Sequence, residues 1–434
     1  MVRRLIYRPW FDAIGAPFVS RVYLPISVGW SAARAADGDP DRFAEASGIE
    51  IPQTLLRSIL WRHRLAERAY AGARERWERD FFAPVSPTPA RLLRTHRLHL
   101  LAAANWLGRR SVFLPWARTL PAARWDIPSP EVVEAAHAGR LADPGAAYAP
   151  PERIAMHPTH PLRRGAAQVY WMRFASPILG DTAWARVIEP SATRPRQTLI
   201  VLHGIFAEPG LWPDRTDPFE SLVNAGMRVV RLTAPWHGRR MLASRYSGEP
   251  VLALGPAGLL ALFHAWIAEV ALIINWAQKQ GSATVALAGI SLGALTAQIL
   301  ATAAHSWPEH LRPQALLLVA TTGVLTDIVY GGSLATGTGL ADHLDQAGWS
   351  AALMDRWSAL LEPGPTPVMG PNRVLLLIGE ADDLTPMPGG RLLAERWEIP
   401  RANLFLRPQG HFSLSLGLAA QPEPIRRLLH LMQA

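Results

Sequence analysis

The sequence contains no cysteine and a single lysine, Lys279, among its 44 basic residues. Without cysteine, a disulfide framework, a thiolate zinc site and a cysteine nucleophile are all excluded. Arginine therefore carries the basic charge, and the formal net charge is +9. Such an excess favours anionic partners such as phospholipid headgroups or nucleic acid. Neither zinc-finger spacing nor an aromatic RNA-binding signature accompanies it, which argues against nucleic acid.

The N-terminus has basic residues but no uninterrupted apolar segment of the length that a signal peptide needs, because Arg8, Pro9 and Asp12 break it. We predict that this segment is retained and that the protein is cytoplasmic or peripheral at the inner membrane surface. The longest apolar stretch, residues 257–277, contains Glu269 and precedes an apolar strand. We interpret it as a packed core helix rather than a membrane span.

Residues 1–45 mix arginines with aromatic side chains, and two interpretations remain open. The rings would lie at headgroup depth with the arginines on phosphates, giving peripheral membrane contact, or the same rings would pack on the catalytic core. The residues concerned are Arg3, Arg4, Arg8, Arg21, Tyr7, Trp10, Phe11, Phe18, Tyr23 and Trp30.

Helical spacing of apolar residues predicts long helices over residues 52–82 and 90–107, and a shorter one over 131–140. A proline-rich tract follows, and we place a boundary near residue 160. The prediction is thus an arginine-rich, helical N-terminal extension over 1–160 and a catalytic domain over 161–434. Two histidine pairs, His96 with His99 and His157 with His160, lack a third ligand, so we predict neither metal nor cofactor.

Beyond residue 165, short apolar runs alternate with helical segments. The first two runs are predicted to pair as antiparallel strands, and the others to form a mostly parallel sheet covered on both faces. The predicted strands are 168–174, 184–188, 198–202, 227–232, 285–288, 315–320, 374–378 and 404–406.

A serine lies at the apex of a strand-turn-helix in the sequence VALAGISLGALTA. Gly289 and Gly293 flank Ser291, and glycine permits the close approach of strand and helix that such a turn needs. A serine hydroxyl becomes nucleophilic when a histidine removes its proton, and a carboxylate orients that histidine. Asp382 follows the strand 374–378, and His411 follows the last strand.

The chain from about residue 165 resembles the α/β-hydrolase fold superfamily. The resemblance rests on the turn at Ser291, the G-x-x-D-x-x-x-P pattern at Asp382, the G-H-F at His411, and His203-Gly204 after a buried strand. It implies an α/β fold with Ser291 as nucleophile, His411 as general base and Asp382 as its orienting acid.

The same resemblance implies an oxyanion hole made by two backbone N–H groups. We assign these to Leu292 and Ile205, with Phe206 as the alternative to Ile205. Two further carboxylates remain candidates for the acid that orients His411. Asp383 neighbours Asp382, and Asp327 follows the preceding strand, where some hydrolases place the acid.

Residues 235–240, PWHGRR, together with GISLG, are similar to the subgroup related to abhydrolase-domain-containing protein eighteen. That similarity implies a lipid or acyl-ester substrate and membrane association. Phe206, His237 and Arg239 would then contact substrate, the last two through an anionic headgroup. Alternatively, His237 and Arg239 fix their loop through backbone carbonyls.

The connection over residues 322–370 is long and contains a predicted helix, 349–361, with one apolar side. We predict either a lid that gives an apolar acyl pocket, or ordinary core packing of this helix. The combined prediction is a serine hydrolase of lipophilic carboxylic esters. An acyltransferase or thioesterase with the same three residues, or a catalytically silent membrane-associated binding module, are the alternatives. The sequence carries no signal of oligomeric state.

Overall fold

The computed structural model of the protein describes residues 10–208 and 217–433. The predictions made for Arg3, Arg4, Tyr7 and Arg8 lie outside these residues.

The described residues before the sheet are mostly helical. Helix α4, Gln53–Phe81, places Leu56, Ile59 and Leu60 in the core and its charged residues on the other side, as the apolar spacing predicts. The predicted helices over 90–107 and 131–140 are also confirmed, within two residues at each end. The helices of this region are α1 Trp10–Phe18, α2 Leu24–Ala36, α3 Pro40–Ser47, α4, α5 Pro89–Gly108, α6 Pro130–Ala142 and α7 Pro144–Ala147, with a π-helical turn at Val19–Tyr23 and a 3-10 helix at Arg109–Trp116.

Within the described residues, ten strands form one sheet in the order β1-β3-β4-β6-β5-β7-β8-β9-β10, with β2 paired to β3. The pairs β3–β4 and β4–β6 are antiparallel, and every pair from β6 to β10 is parallel. All eight predicted strands are present. The strands are β1 His157–Pro158, β2 Leu162–Arg164, β3 Ala167–Ala175, β4 Thr182–Pro190, β5 Gln197–Leu202, β6 Arg228–Leu232, β7 Thr284–Ile290, β8 Ala315–Val319, β9 Val374–Gly379 and β10 Leu404–Arg407.

The sheet is buried on both faces, which explains why its central strands read as unbroken apolar runs. In β5, Leu199 and Val201 enter one apolar cluster, and Ile200 and Leu202 enter the other. The larger cluster joins the sheet to the N-terminal helices, and the smaller one joins it to the last helix. The helices after β5 are α8 Glu220–Asn224, α9 Glu249–Ala253, α10 Pro256–Lys279, α11 Leu292–Ala303, α12 Ser333–Thr338, α13 Leu340–Gln346, α14 Ala351–Asp355, α15 Ser358–Leu361, α16 Met387–Arg396, α17 His411–Gly417 and α18 Glu423–Gln433.

Helix α10 is long and apolar enough to cross a membrane, yet 78% of its most apolar window is buried within the fold. Its Glu269 is fully buried and forms an ion pair with Arg240 (Nη1 to Oε2, 2.7 Å). It also accepts a hydrogen bond from Ser176 Oγ (2.6 Å). The burial and the charge pair identify α10 as a core helix in this fold.

The connection between β8 and β9 is helical, but it differs from the predicted single helix over 349–361. The helix is interrupted, so that α14 and α15 are separate, with Arg356 and Trp357 between them. Met354, Trp357 and Leu361 are buried, and the Tyr148 hydroxyl donates to the Leu360 carbonyl (2.5 Å). The predicted apolar side of this helix is therefore occupied by core packing.

Candidate active site

Ser291 lies between β7 and α11 in a left-handed backbone conformation, with φ 54° and ψ −120°. Only a glycine allows the adjacent chain segments to approach as closely as they do here. A Cβ on Gly289 would lie 2.4 Å from the Gly293 carbonyl oxygen, and one on Gly293 would lie 2.3 Å from the Leu202 carbonyl oxygen. These contacts explain both glycines of the sequence motif and hold Ser291 at the carboxyl end of the sheet.

The structure brings together the three residues that the sequence predicted as a unit. Ser291 Oγ lies 2.9 Å from His411 Nε2. His411 Nδ1 lies 2.9 Å from Asp382 Oδ2 and 3.1 Å from Oδ1. Asp382 follows β9 and His411 begins α17 after β10, so neighbouring parallel strands deliver both side chains to one edge.

Asp382 is held by its own loop. Its Oδ1 accepts the backbone N–H groups of Leu384 (3.0 Å) and Thr385 (2.9 Å), and its Oδ2 accepts the Thr385 hydroxyl (2.8 Å). Thr385 was not among the predicted site residues, yet its hydroxyl is also 3.3 Å from His411 Nδ1. Its position three residues after the acid and directly before Pro386 is the signal that was available.

Burial and charge act in opposite directions on the buried pair. Burial alone would lower the pKa of His411, but the carboxylate of Asp382 outweighs it, with smaller help from Asp12 and Asp383, and the pKa is raised above 6.5. Burial opposes ionisation of Asp382, but its interactions with His411 and Thr385 hold the pKa of that carboxyl below its usual value. Both residues are only 6% exposed, whereas Ser291 keeps partial exposure.

The alternative acids lie elsewhere. Asp383 is exposed, and its carbonyl oxygen accepts a hydrogen bond from the Ser333 backbone N–H (2.8 Å). Asp327 begins a π-helical turn, and its Oδ2 would lie 2.8 Å from a Cβ on Gly389. The carboxylate hydrogen-bonded to His411 is that of Asp382.

Two buried histidines join the loops that follow β5 and β6. His203 Nε2 accepts the Ala234 backbone N–H (3.1 Å), and His237 Nε2 accepts the Phe206 backbone N–H (3.2 Å). A backbone N–H only donates, so each ring carries its proton on Nδ1, which donates to a carbonyl of its own loop (2.8 Å each). Burial lowers the pKa of His203 to about 4 and that of His237 to about 3, which keeps both rings neutral.

These bonds bear on the predicted oxyanion hole. Gly204 lies against the nucleophile, since a Cβ there would be 3.5 Å from Ser291 Cβ. Phe206, the alternative donor, has its N–H engaged by His237. Leu292 is the first residue of α11, and the first N–H groups of a helix lack partners within it. Ile205 and Leu292 remain the predicted donors.

His237 and Arg239 occupy packed positions. His237 is fully buried, which favours the interpretation that it fixes the loop rather than contacts substrate. The Arg239 guanidinium lies over the rings of Trp77 (4.3 Å) and Trp184 (4.7 Å). It also contacts His99 Nε2 (3.1 Å) and Glu78 (3.5 Å). Arg239 therefore ties the β6 loop to the N-terminal helices, through aromatic and charged side chains rather than backbone carbonyls.

The N-terminal helices contact the β5 loop as well, in line with the interpretation that residues such as Tyr23 pack on the core, although the role of Arg110 was not predicted. Buried Arg110 donates to Glu208 Oε1 (2.5 Å) and to the Tyr23 hydroxyl (2.8 Å). Arg110 and Tyr23 are more than 80 residues from each other and from Glu208 in sequence. No local sequence pattern predicts such a contact.

Three of the four histidines of these pairs pack against other groups, and His157 is exposed. His96 Nδ1 accepts the Trp77 indole N–H (3.2 Å), and His160 Nε2 lies 2.7 Å from the Ala83 carbonyl oxygen. Within residues 10–208 and 217–433, no group of three or more metal-ligating side chains comes together.

The three-residue arrangement at Ser291 is suited to acyl transfer. The carboxylate fixes the Nδ1–H tautomer, which leaves Nε2 free to accept the serine proton. The serine oxygen can then attack an electrophilic carbonyl carbon.

Comparison with known proteins agrees with this fold. The family model described as "Alpha/beta hydrolase domain containing 18" matches residues 215–330, which include PWHGRR and the Ser291 turn. A search of curated proteins finds no match. The match and the sheet topology agree with the resemblance seen in the sequence, and the chain has the α/β-hydrolase fold.

Solved structures with low similarity include three esterases or lipases. A cold-adapted esterase from an Arctic intertidal metagenomic library is 16% identical, over 62% of this chain and 96% of that one, with a TM-score of 0.39. A lipase in its open form is 15% identical over 61% and 98%, with a TM-score of 0.39. Acetyl xylan esterase 1 from Thermoanaerobacterium sp. JW/SL YS485 is 14% identical over 71% and 96%, with a TM-score of 0.45. Such weak likenesses do not identify a substrate.

Proposed function

We propose that the protein hydrolyses carboxylic esters through an acyl-enzyme on Ser291. The observation that carries the proposal is the partly exposed Ser291 hydroxyl, 2.9 Å from His411 Nε2, with Asp382 behind the imidazole. The fold alone would not support an activity, because proteins with unrelated functions share it. The placement of these three side chains supplies the chemical argument.

In the acylation half-reaction, His411 Nε2 takes the Ser291 proton as Oγ bonds to the ester carbonyl carbon. The carbonyl oxygen gains negative charge in the tetrahedral intermediate, and the N–H groups of Leu292 and Ile205 are the proposed donors to it. The intermediate collapses when the carbon–oxygen bond to the alcohol breaks. His411 then returns its proton to the leaving alkoxide.

In the deacylation half-reaction, His411 removes a proton from water as the water oxygen attacks the acyl carbon. The second tetrahedral intermediate expels Ser291 Oγ, which recovers the proton from His411. The products are a carboxylic acid and an alcohol. An alcohol or thiol in place of water would make the same site an acyltransferase, and a thioester substrate would make it a thioesterase.

The exposed side chains of helix α1 are the basis for two further proposals. These are a lipophilic substrate and contact with an anionic lipid surface. Trp10, Ile14 and Phe18 recur every four residues along this helix and are 50%, 60% and 50% exposed. Ile14 and Phe18 share a surface depression with Arg21 and Arg118. Apolar side chains flanked by arginines fit the boundary between acyl chains and phosphate headgroups. The opposite face of α1 packs on α17, the helix that begins with His411.

Covalent labelling tests the proposed activity. The purified protein is treated with a fluorophosphonate probe beside Ser291→Ala, His411→Ala and the control Ser306→Ala, which removes an exposed serine. We expect labelling of the wild type and the control only, with the modified peptide mapping to Ser291. Folded wild-type protein that resists both this probe and smaller ones would overturn the proposal in favour of a silent binding module.

Substrate class is then tested with p-nitrophenyl esters of increasing acyl length. We expect kcat/KM to rise with chain length, and equal turnover of acetate and long-chain esters would contradict a lipophilic preference. Addition of alcohols or thiols shows whether water is the preferred acceptor.

Lipid contact is tested by co-sedimentation with vesicles of phosphatidylcholine alone or with phosphatidylglycerol. The double variant Ile14→Glu/Phe18→Glu should bind anionic vesicles more weakly than wild type. Val85→Glu, at an apolar position that is 81% exposed, should bind like wild type. Equal binding by all three proteins would exclude α1 as the lipid-facing element.

A further inference from the structure

Asp12 lies on the face of α1 opposite Trp10, Ile14 and Phe18. It is 5% exposed, and its carboxylate points to the first turn of α17. No feature of the reaction described above uses this residue. A buried carboxylate is costly unless several donors surround it, so its partners define what it does.

Four hydrogen bonds from one short segment converge on Asp12. Its Oδ1 accepts the backbone N–H groups of Phe412 (2.6 Å) and Ser413 (3.1 Å). Its Oδ2 accepts the Gly410 N–H (3.2 Å) and the Ser413 hydroxyl. The first N–H groups of a helix have no partner within the helix, and a negative charge there is favourable. Asp12 therefore caps α17 from a distant part of the chain.

Gly410 explains why the cap comes from elsewhere. This position precedes α17, where a serine, threonine or aspartate would ordinarily supply the capping oxygen. A Cβ on Gly410 would lie 2.5 Å from Asp12 Cγ, so any other residue would exclude the carboxylate. Gly15 similarly lets α1 approach α17, since a Cβ there would lie 2.8 Å from the Phe412 ring.

The capped segment includes the general base. Asp12 binds the residues on both sides of His411 and leaves the imidazole itself to Asp382 and Ser291. We propose that Asp12 is a positioning residue for His411, so that helix α1 of the N-terminal region is an integral part of the hydrolytic site. The inference deepens the proposed function and rests on it for its catalytic meaning.

Charge supports the same conclusion. The acidic groups that act on the His411 ring are Asp382, Asp383 and Asp12, from the β9 loop and from α1. Burial lowers the pKa of His411, and these carboxylates raise it, Asp382 most strongly. Removal of the Asp12 charge should therefore lower the pKa of His411. This charge effect is separate from the hydrogen bonds of the cap, so the pKa of His411 and the rate of Ser291 labelling are two independent readouts of Asp12.

The experiment measures the His411 titration directly, without need of a substrate. Wild-type protein, Asp12→Asn, Asp12→Ala and the control Asp41→Asn, at an exposed position, are labelled with 13C at histidine Cε1 and titrated by NMR. His411→Gln assigns the resonance. We expect His411 to titrate at lower pH in both Asp12 variants and as in wild type in the control. Fluorophosphonate labelling of Ser291 at pH 7 should also slow, by about 10- to 100-fold.

Each outcome separates this inference from the proposed function. An unlabelled wild type with a shifted His411 titration in Asp12→Asn would reject the hydrolase and retain the positioning role. An unshifted titration in folded Asp12→Asn, with an unchanged labelling rate, would overturn the positioning role alone. Should neither variant fold, hydrogen exchange of wild-type protein decides, because rapid exchange of the Phe412 and Ser413 amides would contradict the cap.

Discussion

The imidazoles of His203 and His237 lie 5.0 Å apart at 68° to each other, and each accepts a backbone N–H from the loop that carries the other. Because the two loops are tied reciprocally, neither can move without the loss of a buried hydrogen bond. One of them carries Gly204, which lies against Ser291. The pair therefore sets the position of the proposed oxyanion donor Ile205.

Replacement of His237 should affect rate and stability but not pH dependence. In His237→Ala the buried Phe206 N–H loses its acceptor, which should cost about 1–3 kcal/mol of unfolding free energy. We expect kcat/KM to fall by about 10- to 100-fold through displacement of the loop. The acidic limb of the pH–rate profile should stay in place, since burial keeps the pKa of His237 at about 3. Urea denaturation and rate profiles, with His157→Ala as an exposed control, provide the measurement.

The pH–rate profile of the wild type should report His411. The reaction needs the neutral imidazole, and the pKa of His411 is raised above 6.5 by Asp382. Activity should therefore be full well above that pKa and fall as pH decreases through it, with the midpoint above pH 6.5. A midpoint at lower pH would contradict a charged Asp382 beside the ring.

The identity of the acid that orients His411 can be tested with the same rate measurements. Asp382→Asn should lower kcat by about 10⁴-fold, because the amide no longer holds the productive tautomer. Asp327→Asn should retain activity, since His411 is hydrogen-bonded to Asp382. The reverse result would transfer the role of the acid to Asp327.

The turn at Ser291 should not tolerate a methyl group at Gly293. In Gly293→Ala the new Cβ would meet the Leu202 carbonyl oxygen at 2.3 Å, and strand β5 would have to shift. We expect a loss of about 1–3 kcal/mol or more in urea denaturation. Gly139→Ala, in helix α6 with nothing within 4 Å, should be stabilising by up to about 1 kcal/mol. Equal stability of the two variants would contradict the contact.

The buried pair of α10 offers a test of its core position. Glu269→Ala leaves the buried Arg240 guanidinium with the Asp181 carboxylate and the Thr233 carbonyl, which should cost about 3–5 kcal/mol of unfolding free energy. The exposed pair of Glu134 and Arg356 supplies the control, and Glu134→Ala should cost about 0–1 kcal/mol. Similar losses in both variants would mean that Glu269 is not desolvated.

The sequence predicted best what depends on neighbours in the chain. Parallel strands are covered on both faces, so their consecutive residues must be apolar. This is why short apolar runs identified strands β5, β7, β8 and β9. Ser291 was recognisable because the tight turn that carries it requires glycines two residues away on either side. The break between α14 and α15 was not predictable, because residues 351–361 contain neither glycine nor proline, and α15 packs on the distant helices α6 and α7.

What depends on residues distant in sequence could not be predicted. Asp12 read as a polar interruption in an apolar segment, and nothing beside it indicates that its partners are at 410–413. His237 left two interpretations open until the Phe206 N–H was found beside it. A glycine before α17, with no capping residue of its own, was the one local sign that a cap comes from elsewhere.

Asp12 and Ser413 are 401 positions apart in the sequence, and this separation sets an order of events in biosynthesis. At about 5–20 residues per second, the ribosome makes helix α1 some 20–80 s before the segment that it caps. During that interval the Asp12 carboxylate lacks its four hydrogen-bond donors, because residues 410–413 have not yet been synthesised. Ser291 is likewise synthesised before His411, its proposed base. The proposed hydrolytic site can therefore assemble only near the end of translation.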